Sequence, residues 1–153
     1  MSEKLAFHYN TCWVKEYARA YIDRLRGPYQ KHDLEKIAKG QIEEETLQAK
    51  TANKILICDT NLIVIKIWCE YKYGSCPDWI VNEISKSNYN LHLLTYIDIP
   101  WKDDPQREHP DKRDYLYKKY IEELEFWDFR YIEIKGDMKE RFTKAVSAIN
   151  ALL

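Results

Sequence analysis

Four short apolar runs, TCWV (11–14), KILICD (54–59), LHLLTYI (91–97) and RYIEIK (130–135), are each separated from the next by sequence with helical spacing. This alternation constrains the chain more than any other feature. β-Branched and aliphatic runs of this length read as strands. Strands divided by helices pair in parallel, because each crossover carries the chain back before the next strand begins. The expected class is therefore α/β, a parallel sheet with flanking helices. Between the strands, Tyr17, Ala18, Tyr21, Ile22 and Leu25 form a helical stripe that Gly27 and Pro28 end. A second helix is expected with Asp33 as its N-cap and Leu34, Ile37 and Ala38 on one face. TNLIVIKIWCEYKYG reads as a helix closed by Gly74, and PDWIVNEISKS as a shorter one with Pro77 in its first turn. Asp111 and Asp114 suggest a capping box before YLYKKYIEELEFW, and a last helix runs from about Asp137 with Met138, Phe142, Ala145, Val146 and Ile149 on one face. No linker, repeat or low-complexity stretch interrupts residues 1–153, which read as one domain.

Charge and cysteine content narrow the function classes. With 24 basic and 25 acidic side chains the net charge is −1, which gives no broad field to attract nucleic acid or an anionic membrane. Neither is expected as a partner. Cys12, Cys58, Cys69 and Cys76 contain no CxxC pair and have no histidine at zinc-ligand spacing, so a metal cluster or disulfide framework is not expected. MSEKLAFHYN lacks the blocks of a signal peptide, and the longest aliphatic run, LIVI, stops at Lys66. The expected location is the cytoplasm.

Ligands of open parallel sheets collect beyond the carboxyl ends of the strands. Glu16, Asp59, Asp98 and Asp137 stand at those four ends. A carboxylate there can take a proton from a substrate hydroxyl or hold magnesium, and Arg19 can neutralise a phosphate or pair with Glu16. The same acids can also cap the helices that follow, which is the simpler reading for Asp137. After the third strand, DIPWKDDPQREHPDKRD (98–114) carries ten charged side chains and three prolines. Prolines lower the entropy lost on closing such a segment, so it reads either as a lid whose Arg107 and Arg113 meet phosphate oxygens, edged by Trp101, or as a solvated connector. Trp68, Tyr71 and Tyr73 could stack a ligand ring, but packing of their own helix explains them more simply.

Taken together, WVKEYARAYI, GPYQKHDLEKIAKGQ, KILICDTNLIVIKIW, YKYGSCPDWI and DIPWKDDPQREHPDKR resemble the NadR-type ribosylnicotinamide kinase domain, a P-loop NTPase of the nucleoside and nucleotide kinase group. The resemblance spans nearly the whole chain. It implies transfer from ATP, with Mg2+, to the hydroxyl of a small nucleoside-like substrate. It places Glu16 and Arg19 at the acceptor, and makes Asp59 and Thr60 an acidic step serving substrate or metal. Asp104, Arg107 and Arg113 fall in a lid over ATP, with Gly136 and Asp137 near the adenine. Catalysis is then expected of Glu16, Asp59 and Arg107. The chain departs from the family in one respect: none of Gly27, Gly40, Gly74 and Gly136 opens a GxxxxGK[ST] loop. SEKLAFHYNT resembles the later half of the helix after that loop, which places Met1 just downstream of it; the expectation is a kinase-like domain with weak or no activity as this chain, the alternative a non-catalytic nucleotide-binding, regulatory or interaction module. The family's first, central strand would lie between the strands ending at Asp59 and Asp98. Its absence implies either a gap in the sheet or direct pairing of those neighbours, with edges that invite self-association.

Overall fold

The computed structural model describes residues 1–100 and 110–153. The chain divides into two compact units, Met1–Lys86 and Ser87–Leu153. Both are mixed α/β, and every strand pairing among the described residues is parallel.

The first unit runs α1 (Ser2–His8), β1 (Trp13–Val14), α2 (Tyr17–Ile22), α3 (Lys31–Ala49), β2 (Ile57–Cys58), α4 (Leu62–Tyr73) and α5 (Asp78–Ser85). The run 54–59 yields only a two-residue strand because Lys54 sits at φ +64°, which breaks the extended backbone before Ile57. Thr11 extends the join beyond the ladder: its hydroxyl donates to the Ile55 carbonyl at 2.7 Å and accepts from the Asn53 amide at 3.0 Å. The core comprises Leu5, Val14, Leu34, Ile37, Ile65, Ile80 and Ile84 with smaller neighbours, all at most 3% exposed. Leu34, Ile37 and Ala38 are buried on one face of α3 as the spacing predicted. α2 ends at Ile22 rather than Leu25, and the Arg24 and Leu25 amides reach back only three residues before the Gly27–Pro28 break. Gly40 belongs where it is: a β-carbon there would fall inside the Tyr17 ring that packs on α3.

The N-terminus of α3 corrects the sequence reading. Gln30 is the N-cap, and Asp33 is the third helical residue, closing a capping box by accepting from the Gln30 amide at 2.8 Å. Tyr21 donates its hydroxyl to the other oxygen at 2.7 Å, so α2 is tied to α3 through a carboxylate that is only 5% exposed. The Gln30 amide and then the Tyr21 hydroxyl hold this carboxyl below its usual range. A depressed folded value stabilises the fold in full above the unfolded value near pH 4 and loses that contribution as pH falls below it. Asp33→Asn is therefore expected to flatten the acid limb of thermal stability below about pH 4. Melts of the two proteins across that limb check this, and parallel acid limbs would mean Asp33 is not a source of it.

The second unit runs β3 (His92–Thr95), a 3-10 turn (Pro110–Lys112), α6 (Arg113–Phe126), β4 (Tyr131–Ile134) and α7 (Met138–Asn150). α6 begins from the 3-10 turn with Lys112 as its N-cap, so Asp111 and Asp114 do not form the expected capping box. Asp137 does cap α7, accepting from the Lys139 and Glu140 amides while Glu140 reaches back to the Asp137 amide. The buried stripe of α7 is Arg141, Ala145 and Ile149, and Met138 is 49% exposed, off the face assigned to it from spacing.

β1 pairs with β2 and β3 with β4, and no ladder joins β2 to β3 among the described residues.

Candidate functional site

In the first unit, the register Trp13 to Ile57 and Val14 to Cys58 brings both chain exits to one rim. The Asp59 amide donates to the Val14 carbonyl at 2.8 Å, so the carboxyl-end rule holds locally: Glu16 and Asp59 leave neighbouring strands at the same end. Glu16 then becomes the N-cap position of α2 without a side-chain capping bond, and its carboxylate meets Arg19 Nε at 3.5 Å. Asp59 is exposed. Lys15 lies over the Trp13 ring at 5.3 Å, adding a cation beside the same strand end.

Thr60 follows at φ +71°. A β-branched residue in the left-handed region is strained by about 1–3 kcal/mol, and such strain persists only where the surroundings impose it. Asn61 is the restraint on the far side, capping α4 by accepting from the Ile63 amide at 3.0 Å. The turn thus fixes Asp59 and Thr60 between a strand ladder and a helix cap. Periodicity gives no sign of this strain, because it arises from the three-residue connection between β2 and α4.

Of the aromatic group on α4, Trp68 and Tyr73 pack within their own unit, while Tyr71 is 36% exposed. Tyr29 stacks on Trp68 with centroids 6.2 Å apart, Lys72 sits 3.6 Å over the Tyr29 ring, and Tyr73 donates to the Tyr29 carbonyl at 3.2 Å. These residues clamp the Gly27–Tyr29 segment to the helix.

In the second unit the register Thr95 to Ile134 places Asp98 and Gly136 past the ends of β3 and β4. Asp98 accepts from the Gly136 amide at 2.7 Å and pairs with Arg141. Arg141, 3% exposed, also donates to the Gly136 carbonyl at 2.7 Å and the Tyr96 carbonyl at 3.1 Å. The Gly136 amide, aided by the Arg141 charge, holds the Asp98 carboxyl below its usual range. Gly136 sits at φ +90°, a conformation that glycine alone adopts readily. Reading the sequence by spacing missed Arg141. Its signal was a charged residue four and eight positions before the apolar Ala145 and Ile149 of one helical stripe.

Arg113, expected in the lid, donates to the Ile97 and Ile99 carbonyls at 3.0 and 2.8 Å, bracing the segment that leaves β3. The Asp137 side chain and the Gly136 amide, expected near the adenine, are engaged in the cap and the Asp98 contact. Asp104, Arg107 and Trp101 lie outside the described residues. The four glycines fall in the α2–α3 connection, within α3, at the end of α4 and between β4 and α7.

No group of three His, Cys, Asp or Glu side chains is placed to hold a metal among the described residues. Magnesium bound through a nucleotide's phosphates needs only one or two protein carboxylates, and the exposed Asp59 suits that limited role. Among the described residues no helix is long and apolar enough to cross a membrane.

Residues 1–141 match a family model described as an AAA domain. The chain is 25% identical over 158 residues to the Trifunctional NAD biosynthesis/regulator protein NadR of Escherichia coli (strain K12), covering 98% of this chain and 38% of that protein. It is 26% identical over 157 residues to the protein of the same name from Salmonella typhimurium, with the same coverage. It thus spans 38% of the length of these curated relatives.

Proposed function

Because the chain belongs to the AAA domain family that its first 141 residues match, we propose that it is a nucleotide-binding, kinase-like domain. Its reaction is phosphoryl transfer from ATP to a hydroxyl of a small nucleoside-like acceptor, ribosylnicotinamide being the leading candidate. Residues 1–153 act in this as one domain. The observation that carries the reading is the rim at which β1 and β2 deliver Glu16 and Asp59 together, beside a strained Thr60. Two carboxylates with an arginine beside them suit an acceptor that offers vicinal hydroxyls, since each carboxylate accepts a hydroxyl hydrogen and Arg19, 3.5 Å from Glu16, helps to aim it.

In the proposed step the acceptor oxygen forms a bond to the γ-phosphorus, the bond from that phosphorus to the bridging oxygen breaks, and ADP departs. Asp59 or Glu16 receives the hydroxyl proton. Arg107 neutralises charge developing on the transferred group, and Asp104 and Arg113 belong with it to the lid over ATP. Gly136 and Asp137 contribute backbone to the adenine's surroundings. Magnesium, when bound with ATP, supplies charge neutralisation at the phosphates, and Asp59 is the residue to hold it.

A second reading rests on the glycines: none of the four opens a loop of amides that could cradle phosphates. On that reading these 153 residues bind a nucleoside and transfer phosphate slowly, because the charge on the γ-phosphoryl lacks its main stabiliser. One pair of measurements separates the two: calorimetric titration with ribosylnicotinamide, and product formation with Mg-ATP present. We expect binding with turnover far below about 1 per second. Turnover at or above that rate would sink the binding-module reading, and failure to bind either nucleoside or ATP would sink the kinase-like site itself.

A further inference from the structure

We infer that Gln41 is a positioning residue for the acceptor site: its buried amide, reaching across from α3, takes over the capping of α2 and so fixes the backbone on which Glu16 is presented. The inference rests on the reading of Glu16 as an acceptor-site carboxylate. Gly40 and Gln41 end the stretch GPYQKHDLEKIAKGQ, far in sequence from either strand end.

α2 has only six residues, and the amides of a helix's first turn find no partner within the helix. Glu16 occupies the N-cap position without making a side-chain capping bond. The bond comes from α3 instead, where Gln41 Oε1 accepts from the Tyr17 amide at 3.2 Å. Gln41 Nε2 donates to Glu45 Oε1, one turn further along α3, at 2.9 Å. A backbone N–H only donates and a carboxylate only accepts, so this is the one orientation of the amide that satisfies both partners. At 2% exposure, Gln41 makes both bonds where water does not compete for its side chain.

The Tyr17 amide belongs to the peptide group that joins Glu16 to Tyr17, and that group is planar. Holding its N–H therefore orients the peptide that leaves Glu16. Two residues earlier, the Val14 carbonyl accepts from the Asp59 amide at 2.8 Å. Glu16 is thus held from both directions, by the ladder before it and by Gln41 after it. The helices cannot slide past one another either. The Tyr17 ring fills the space that a β-carbon at Gly40 would need, and one turn on, the Tyr21 hydroxyl donates to Asp33. Pairing Tyr17 with residues 40 and 41, and Tyr21 with residue 33, runs α2 antiparallel to α3 and sets the register between them. Without the Gln41 acceptor the Tyr17 amide must turn to water, and the peptide carrying Glu16 turns with it.

The test compares the parent chain with Gln41→Met, which keeps the length of the side chain and removes both polar atoms, and with a swapped pair, Gln41→Glu with Glu45→Gln. The swap retains an acceptor for the Tyr17 amide and a hydrogen bond between residues 41 and 45. Hydrogen exchange followed by NMR reads the Tyr17 amide directly, and calorimetric titration reads ribosylnicotinamide affinity. In Gln41→Met, Tyr17 exchange is expected to accelerate and binding to weaken, each by about tenfold, the scale of losing one hydrogen bond, while the amides of residues 36–40 keep their protection. The swapped pair should recover both. The inference is overturned if Gln41→Met leaves Tyr17 exchange or nucleoside affinity at the parent value, or if weaker binding comes only with loss of protection throughout α3. Glu16→Gln separates this from the site itself. If Glu16→Gln weakens binding and Gln41→Met does not, the positioning role alone falls; if the parent chain does not bind or Glu16→Gln binds as the parent does, the acceptor site falls and the positioning role with it.

Discussion

An Arg141→Ala chain is expected to lose about 3 kcal/mol of stability in the Ser87–Leu153 unit, since removing a buried guanidinium leaves its partners buried without it. The partners are specific. Arg141 bonds two backbone carbonyls, Tyr96 at the end of β3 and Gly136 at the end of β4, and pairs with Asp98 between them. It is the residue through which α7 fastens both strands of a two-stranded ladder, and a pair of strands has little stability without such support. Lysine at 141 keeps the charge but lacks the planar fork, so it should recover less than half of the loss. Asp98→Asn should cost less than Arg141→Ala, because an amide oxygen can still accept from the Gly136 amide. Urea unfolding gives the energy, and hydrogen exchange of residues 92–98 and 131–137 localises it. A loss under about 1 kcal/mol would show that water replaces the guanidinium at both carbonyls.

The second large effect concerns ligand rather than fold. Glu16→Gln and Asp59→Asn are each expected to weaken ribosylnicotinamide binding by about 10- to 100-fold, the range for losing a charged hydrogen-bond acceptor. Neither change should lower thermal stability appreciably. Glu16 makes no side-chain cap for α2. Asp59 is exposed, and it joins the strand through its backbone amide rather than its carboxylate. That separation of binding from stability is what distinguishes an acceptor site from two helix-entry acids. If both variants melt several degrees lower and bind as the parent does, the carboxylates belong to the fold and the rim is not the acceptor site. Thr60→Gly adds a graded check: relief of the left-handed strain should raise stability by about 1 kcal/mol, while the looser turn weakens binding.

Much of the element order was legible because its signals are local. Gly74 closed α4 and Asp137 capped α7 as their neighbours in sequence indicated. The errors also have local causes. Asp33 suits an N-cap, yet Gln30 took that position because the Asp33 carboxylate reaches back to the Gln30 amide and across to Tyr21. Asp111 and Asp114 have capping-box spacing, but a 3-10 turn ahead of α6 displaced the start of the helix. Of the candidate site, the acids at the strand ends were visible from strand position alone. The left-handed Thr60 and the buried Arg141 were not, since one reflects backbone geometry and the other a core position given to a charge.

The sequence by itself determined that this chain is α/β with parallel pairing, because side-chain periodicity and the spacing between apolar runs are properties of adjacent residues. Only the tertiary structure decided that the strands pair two and two, that Glu16 and Asp59 leave neighbouring strands at one rim, and that Arg141 closes the ends of β3 and β4. Those outcomes depend on hydrogen bonds between residues more than forty positions apart, such as Asp59 to Val14 and Arg141 to Tyr96, and no local pattern specifies which distant partner a backbone group will find.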